Sequence, residues 1–210
     1  MREPSTQSEI WSSGRANSLP LQRLTKSLEQ IALPASADWQ AVIKEVAAEP
    51  GWRFGAVLVP ILLHERPSVL LTKRSSRLTG HSGQVSFPGG RPDESDPDIG
   101  STALRESYEE ISLERDDVRL IGCLSPHKTR KSRNVVIPVV GMVSPSAVWR
   151  PQSAEVEEVF EFPFATLLNP DLPRQYADGD RSGAWYWADQ DHDIWGVTAR
   201  ILMALADAVR

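Results

Sequence analysis

A single cysteine, Cys123, rules out any intrachain disulfide in these 210 residues, a usage expected in a reducing compartment. It sits in the apolar run Leu120-Ile121-Gly122-Cys123-Leu124, which reads as a packed thiol rather than a nucleophile. No stretch approaches the roughly 18 uninterrupted apolar residues of a membrane-spanning helix. The N-terminus also lacks the apolar core of a secretory leader. These absences predict a cytoplasmic chain with no membrane partner. Long basic blocks are missing too, and the net charge is −5, so no nucleic-acid groove is expected. No internal repeat is visible. What is present is a 40% hydrophobic content with seven tryptophans, enough for a real core in one domain with elaborations.

The chain divides near residue 50. Residues 1–16 form a polar, Ser-rich arm. Leu21, Leu24, Leu28 and Ile31 recur at helical spacing, and a second helix is expected from Asp38 through Val46, stopped by Pro50-Gly51. From 51 to 210 the texture is mixed. Short β-branched runs at Ala56–Leu63 and Val69–Thr72 read as strands covered on both faces. Further strands are expected at Val118–Leu124, Val135–Val143, Val156–Phe162 and Ala184–Trp187. The spacing predicts helices at Ile99–Ile111, at Phe164–Leu168, and from Val197 to Val209. Ser75–Gly90 and Pro170–Gly183 read as loops.

The chemistry concentrates in Arg105-Glu106-Ser107-Tyr108-Glu109-Glu110. A helix turns about 100° per residue, so Glu110 lies one turn beyond Glu106, with Glu109 just beside that line. Ile99, Ala103, Leu104 and Ile111 are expected to form an apolar stripe opposite the acidic one. Like charges at this spacing cost helix stability. A cation would offset that cost, and all-oxygen donors suit a hard ion such as Mg²⁺ or Mn²⁺, which commonly serves phosphates. The alternative is a solvated acidic face. Upstream, Phe87-Pro88-Gly89-Gly90 ends in a turn that lets backbone approach a ligand closely.

Gly90, Asp96, Arg105-Glu106, Glu109-Glu110 and Leu113 together resemble the Nudix box. There are two departures: one extra residue between Asp96 and Arg105, and Ser112 where glycine is usual. Leu70-Leu71-Thr72-Lys73-Arg74-Ser75 followed by His81-Ser82-Gly83-Gln84-Val85-Ser86-Phe87-Pro88-Gly89-Gly90 is similar to the signature of coenzyme A pyrophosphatases in that superfamily. A basic residue usual near Thr79-Gly80 is absent. The resemblance covers roughly residues 55–205. It implies a Nudix-type α/β/α sandwich with a mixed sheet, carrying an N-terminal helical extension (residues 1–50) on a hydrolase domain (residues 51–210). It also implies Mg²⁺- or Mn²⁺-dependent hydrolysis of the diphosphate of coenzyme A or an acyl-CoA. The products would be 4′-phosphopantetheine, or its acyl form, and 3′,5′-ADP. A homodimer is one assembly that the resemblance allows.

On that reading Glu106 and Glu110 are metal ligands, and Glu109 is a third ligand or a water-orienting base. The Gly90 carbonyl would complete the shell beside Gly89. Arg105 either holds Glu109 or Glu106 in place or meets substrate. Asp96 is a loop-organising acid or a metal ligand. Arg74 meets phosphate or is a surface arginine, and His81 bonds substrate or fixes its loop. Glu155, Glu157 and Glu158 are candidate bases outside the box. Lys128, Arg130, Lys131 and Arg133 form the one dense basic cluster, either a solvated hairpin or a reader of the 3′-phosphate. The tryptophans are core residues or base-stacking platforms. Rival readings are a hydrolase of another nucleoside diphosphate such as ADP-ribose or a dinucleotide, a catalytically idle nucleotide sensor, and an interaction module.

Overall fold

The computed structural model describes Lys26 and residues 51–77, 82–129, 133–152, 154–187 and 192–210. The expected N-terminal arm and helices therefore lie outside the described residues, as do His81 and Arg130. In chain order the elements are β1 (Arg53–Leu62), β2 (Ser68–Arg74), β3 (Val85–Ser86), β4 (Gly89–Gly90), α1 (Ile99–Ile111), β5 (Val118–Cys123), β6 (His127–Thr129), β7 (Asn134–Val143), β8 (Val156–Pro163), α2 (Phe164–Leu167), β9 (Arg174–Gln175), β10 (Trp185–Trp187), β11 (Ile194–Trp195) and α3 (Gly196–Val209). The expected helix at Ile99–Ile111 has those same bounds. The short strands β3, β4, β6, β9 and β11 fall in segments that read as loops or connections, because two or three residues carry no periodicity to detect.

The main sheet runs β3-β2-β1-β7-β5, with β4 on β1, β6 on β7 and β8 on β2. It is mixed: β1 and β7 are parallel from Arg53↔Asn134 to Leu62↔Val143, and the other pairs are antiparallel. Successive side chains of a strand point to opposite faces, and β1 shows this in its core contacts. Ala56, Leu58 and Leu62 enter a cluster with Ile99, Ala103 and Ile111 of α1. Val59 and Ile61 enter a second cluster with Ile201, Leu202 and Leu205 of α3. Burial on both faces explains the unbroken apolar runs. Cys123 is buried in the α1-side cluster, and that burial pushes its thiol up to about 12, as a packed side chain requires.

Two prolines mark where strands exchange partners. On one edge β1 pairs with β4 at Ala56 and Val57, Leu58 N–H donates to the Pro88 carbonyl at 2.8 Å, and β2 takes over at Ile61. Pro60, which has no N–H to donate, falls in the gap. Pro138 sits likewise in β7 between its pairing with β6 and with β5. The first exchange opens the sheet enough for the diglycine strand to lie directly against β1.

Helix α1 begins at Asp98, whose carboxylate accepts from Ser101 N–H at 2.7 Å. This is a side-chain cap of the kind that satisfies an otherwise orphaned helix donor. It ends at Ser112 in the left-handed region, φ 54°, with its N–H on the Tyr108 carbonyl at 2.9 Å. Serine thus takes the turn that glycine usually makes. One correction concerns this helix. Glu106 and Glu110 do not oppose the apolar stripe but share its face with Ile99 and Ala103, which is why Glu110 is only 9% exposed. Replacing Asp98 with Ala should lower the unfolding free energy by about 1 kcal/mol, read from urea denaturation. An unchanged midpoint would mean that the cap does not anchor the helix.

Candidate active site

The site is built where α1 crosses the diglycine strand. Gly89 has φ +154°, and a side chain there would run into the Ala56 carbonyl and the Val57 backbone. Gly90 is constrained from the other side, since a β-carbon on it would overlap the Glu106 carboxylate. Both positions need glycine because strand β1 and helix α1 press on them from opposite directions. Gly89 N–H donates to Glu110 Oε2 at 3.2 Å. The Gly90 carbonyl oxygen lies against Gly55, 2.8 Å from where a side chain would begin there.

Two carboxylates are thereby held side by side out of water. Burial pushes the Glu110 carboxyl up to about 7, and the Glu106 charge adds to the rise, while the Gly89 N–H and Arg74 pull it down. Glu106 is also raised, again mainly by burial, against the opposing pull of Arg105. Desolvation and a like-charged neighbour outweigh the Gly89 N–H and Arg74 at Glu110. Such a pair is chemically suited to a hard divalent cation, which would supply the missing positive charge. Among the described residues no three His, Cys, Asp or Glu side chains form a cage on their own.

Arg105 organises the acids. Its Nε and Nη2 fork onto Asp96 at 3.1 and 3.0 Å, and Nη2 also donates to the Arg91 carbonyl at 2.9 Å. Nη1 reaches Glu106 at 3.1 Å and Glu109 at 3.3 Å. A guanidinium has five N–H donors, and these contacts occupy them all. The two-pronged grip goes to Asp96 rather than to a glutamate. Asp96 also accepts from Asp93 N–H and the Thr102 hydroxyl, each at 2.9 Å. The Arg105 hydrogen bonds hold its carboxyl down at about 2. This is a loop-organising role, and it ties the segment after Gly90 to the helix. Glu109 is different again, with 55% of its side chain exposed against 18% for Glu106.

The remaining candidates are distributed around this centre. Arg74 pairs with Glu155 at 2.9 Å, its Nε is buried with no hydrogen-bond partner, and both residues act electrostatically on Glu110. Glu157 instead accepts from Ser76 N–H and pairs with Lys73 at 3.5 Å, and Glu158 pairs with His192 at 3.2 Å. Of the three acids outside the box, Glu155 is the one beside the site. Lys128 lies on β6 with its ammonium 5.5 Å from the Trp52 ring centroid. Sequence reasoning did not reach the Arg91 carbonyl or Gly55. The first is backbone and leaves no mark on residue identity, and the second is one glycine in an apolar strand.

The raised Glu110 carboxyl has a sign that can be checked. Its folded value of about 7 stands above the ordinary 4.5. Its contribution to stability is therefore complete below about 4.5 and is lost as pH rises through about 7, on the order of 3 kcal/mol. Metal-free protein should lose stability over this window, and Glu110→Gln should flatten the loss. Mn²⁺ must displace the same proton, so its thermal shift should be larger at pH 8 than at pH 6. Parallel pH profiles for parent and variant would contradict the assignment.

The NUDIX domain family profile matches residues 52–182. The chain is 39% identical to the uncharacterized Nudix hydrolase NudL of Photorhabdus laumondii subsp. laumondii, covering 75% of this chain and 86% of that protein. It is 41% identical to the NudL of Pectobacterium atrosepticum, covering 73% and 81%. Among solved structures, a NUDIX hydrolase from Alicyclobacillus acidocaldarius aligns with a TM-score of 0.49 at 18% identity, covering 76% of this chain and 93% of that one. No helix among the described residues is long and apolar enough to cross a membrane. The chain belongs to the Nudix hydrolases, diphosphatases that act on nucleoside diphosphate derivatives.

Proposed function

We propose that this hydrolase cleaves the diphosphate of coenzyme A or its thioesters, releasing 3′,5′-ADP and 4′-phosphopantetheine or its acyl form. The observation that carries the catalytic half of this reading is the buried Glu110 carboxylate beside the half-buried Glu106, both against Gly89-Gly90. The run from Leu70 to Gly90, with its likeness to the coenzyme A pyrophosphatase signature, carries the substrate half. Lys128 supports it further, as a cation on the same side of the sheet as α1.

Glu106 and Glu110 would hold Mg²⁺ or Mn²⁺. The bound ion would neutralise diphosphate oxygens and acidify the attacking water. Gly90 leaves room for the Glu106 carboxylate, and Gly89 fixes Glu110 through its N–H. Arg105, fully engaged, keeps Glu106 and Glu109 at a constant separation. Glu109, the most exposed of the three, takes the proton of the attacking water. Arg74, released from Glu155, would meet a phosphate oxygen. The leaving group is a phosphate monoester, a good one, so no covalent enzyme intermediate is needed.

Glu110→Gln assayed at saturating Mg²⁺ should cut kcat by at least about a hundredfold, with products identified by mass. Turnover within a few-fold of the parent would remove Glu110 from the metal site. Wild-type protein should prefer coenzyme A over its form lacking the 3′-phosphate, and equal kcat/KM values would point instead to ADP-ribose or a dinucleotide.

A further inference from the structure

From the geometry we infer that Trp52, with Lys128 and Arg133, forms the nucleotide-end subsite of the active site. Trp52 would stack the nucleobase, and the two cations would hold a phosphate monoester on the ribose. This inference rests on the coenzyme A reading above and adds where the nucleotide half of the substrate lies.

Strand pairing fixes the side of the sheet. Lys128 lies opposite Val135 in the antiparallel β6–β7 pair, and directly opposed residues project to the same face. Val135 is fully buried and, two and four residues before Ile137 and Val139 of the α1-side cluster, shares their face of the strand, so Lys128 emerges on the face that carries Glu106 and Glu110. His127, opposite Val136, projects to the α3 side. The Lys128 ammonium lies 5.5 Å from the centroid of the half-buried Trp52 ring, which places Trp52 on the α1 side as well. Arg133 closes the group. It takes the left-handed conformation, φ 49°, and its Nη1 lies 3.3 Å from the point where a side chain on Gly51 would begin.

Distance and charge agree with this assignment. Trp52 precedes by four residues Ala56, the β-ladder partner of Gly90, or roughly 13 Å along an extended chain. That is a span a ribose and its base can cover from a diphosphate held at Glu106. Neither Lys128 nor Arg133 forms an ion pair with a carboxylate among the described residues. Two unneutralised cations beside one accessible indole, in a chain of net charge −5, match a base carrying a nearby phosphate. Stacking alone is tolerant of base identity. A guanidinium and an ammonium on one phosphate supply the discrimination.

The test uses full-length protein, two substrates and two products. Lys128→Gln should raise KM for coenzyme A about tenfold, leaving kcat and the KM for 3′-dephospho-coenzyme A unchanged. Trp52→Ala should raise both KM values about tenfold at constant kcat. Calorimetry with adenosine 3′,5′-bisphosphate and with 5′-AMP reads the same subsite without turnover. There Lys128→Gln should erase the preference for the bisphosphate, and Trp52→Ala should weaken both ligands. Should Trp52→Ala fail to fold, Trp52→Phe and the exposed Lys128→Gln and Arg133→Gln carry the test. Unchanged KM and product affinity in a parent that hydrolyses coenzyme A would overturn the subsite and leave the substrate reading standing. A parent inert toward coenzyme A whose bisphosphate binding still depends on Trp52 and Lys128 would keep the subsite and sink the substrate reading.

Discussion

Everything at this site depends on how closely one backbone strand approaches one helix. The diglycine Gly89-Gly90 fits between β1 and α1 with no room for a side chain on either residue. That close fit brings Glu106 and Glu110 under cover, next to each other and next to backbone. Glu110 is withdrawn from water, and Glu106 in large part, before any ligand arrives. A buried pair of like charges is unfavourable in the protein alone, and Arg105 and Arg74 offset it only in part. A cation bound there only by the folded state would recover that free energy as affinity.

The rest of the structure keeps that arrangement rigid. Pro60 lets β1 exchange partners and so admits β4. Asp98 caps the helix that carries the acids. Arg105 ties Asp96, Glu106, Glu109 and the Arg91 carbonyl to one planar group, so the segment after the diglycine and the acidic helix move as a unit. A lysine could not replace this fork, since an ammonium offers three donors without fixed planarity. The extra residue between Asp96 and Arg105 is absorbed without breaking the link between them.

Much of this was legible in the residues. The helix bounds Ile99–Ile111, the main strands and the terminal helix all follow from apolar spacing. The diglycine and the acids announce themselves by residue type. The two-residue strands were not legible, since pairing rather than periodicity defines them. The face occupied by Glu106 and Glu110 was misjudged because charged residues are assigned to solvent by default, whereas here tertiary packing holds them inside. Arg105 reaches Glu106 and Glu109, but its two-pronged grip goes to Asp96, a choice set by where the intervening loop lies. Trp52 gave no signal of its own, because only pairing in the folded sheet brings Lys128 onto its ring.

The most direct measurement is anomalous diffraction from crystals soaked in Mn²⁺ with an uncleavable diphosphate analogue. The account predicts a manganese peak within coordination distance of the Glu106 and Glu110 carboxylates, beside the Gly89-Gly90 strand. A peak elsewhere on the molecule, or none at that strand with the analogue bound, would contradict it.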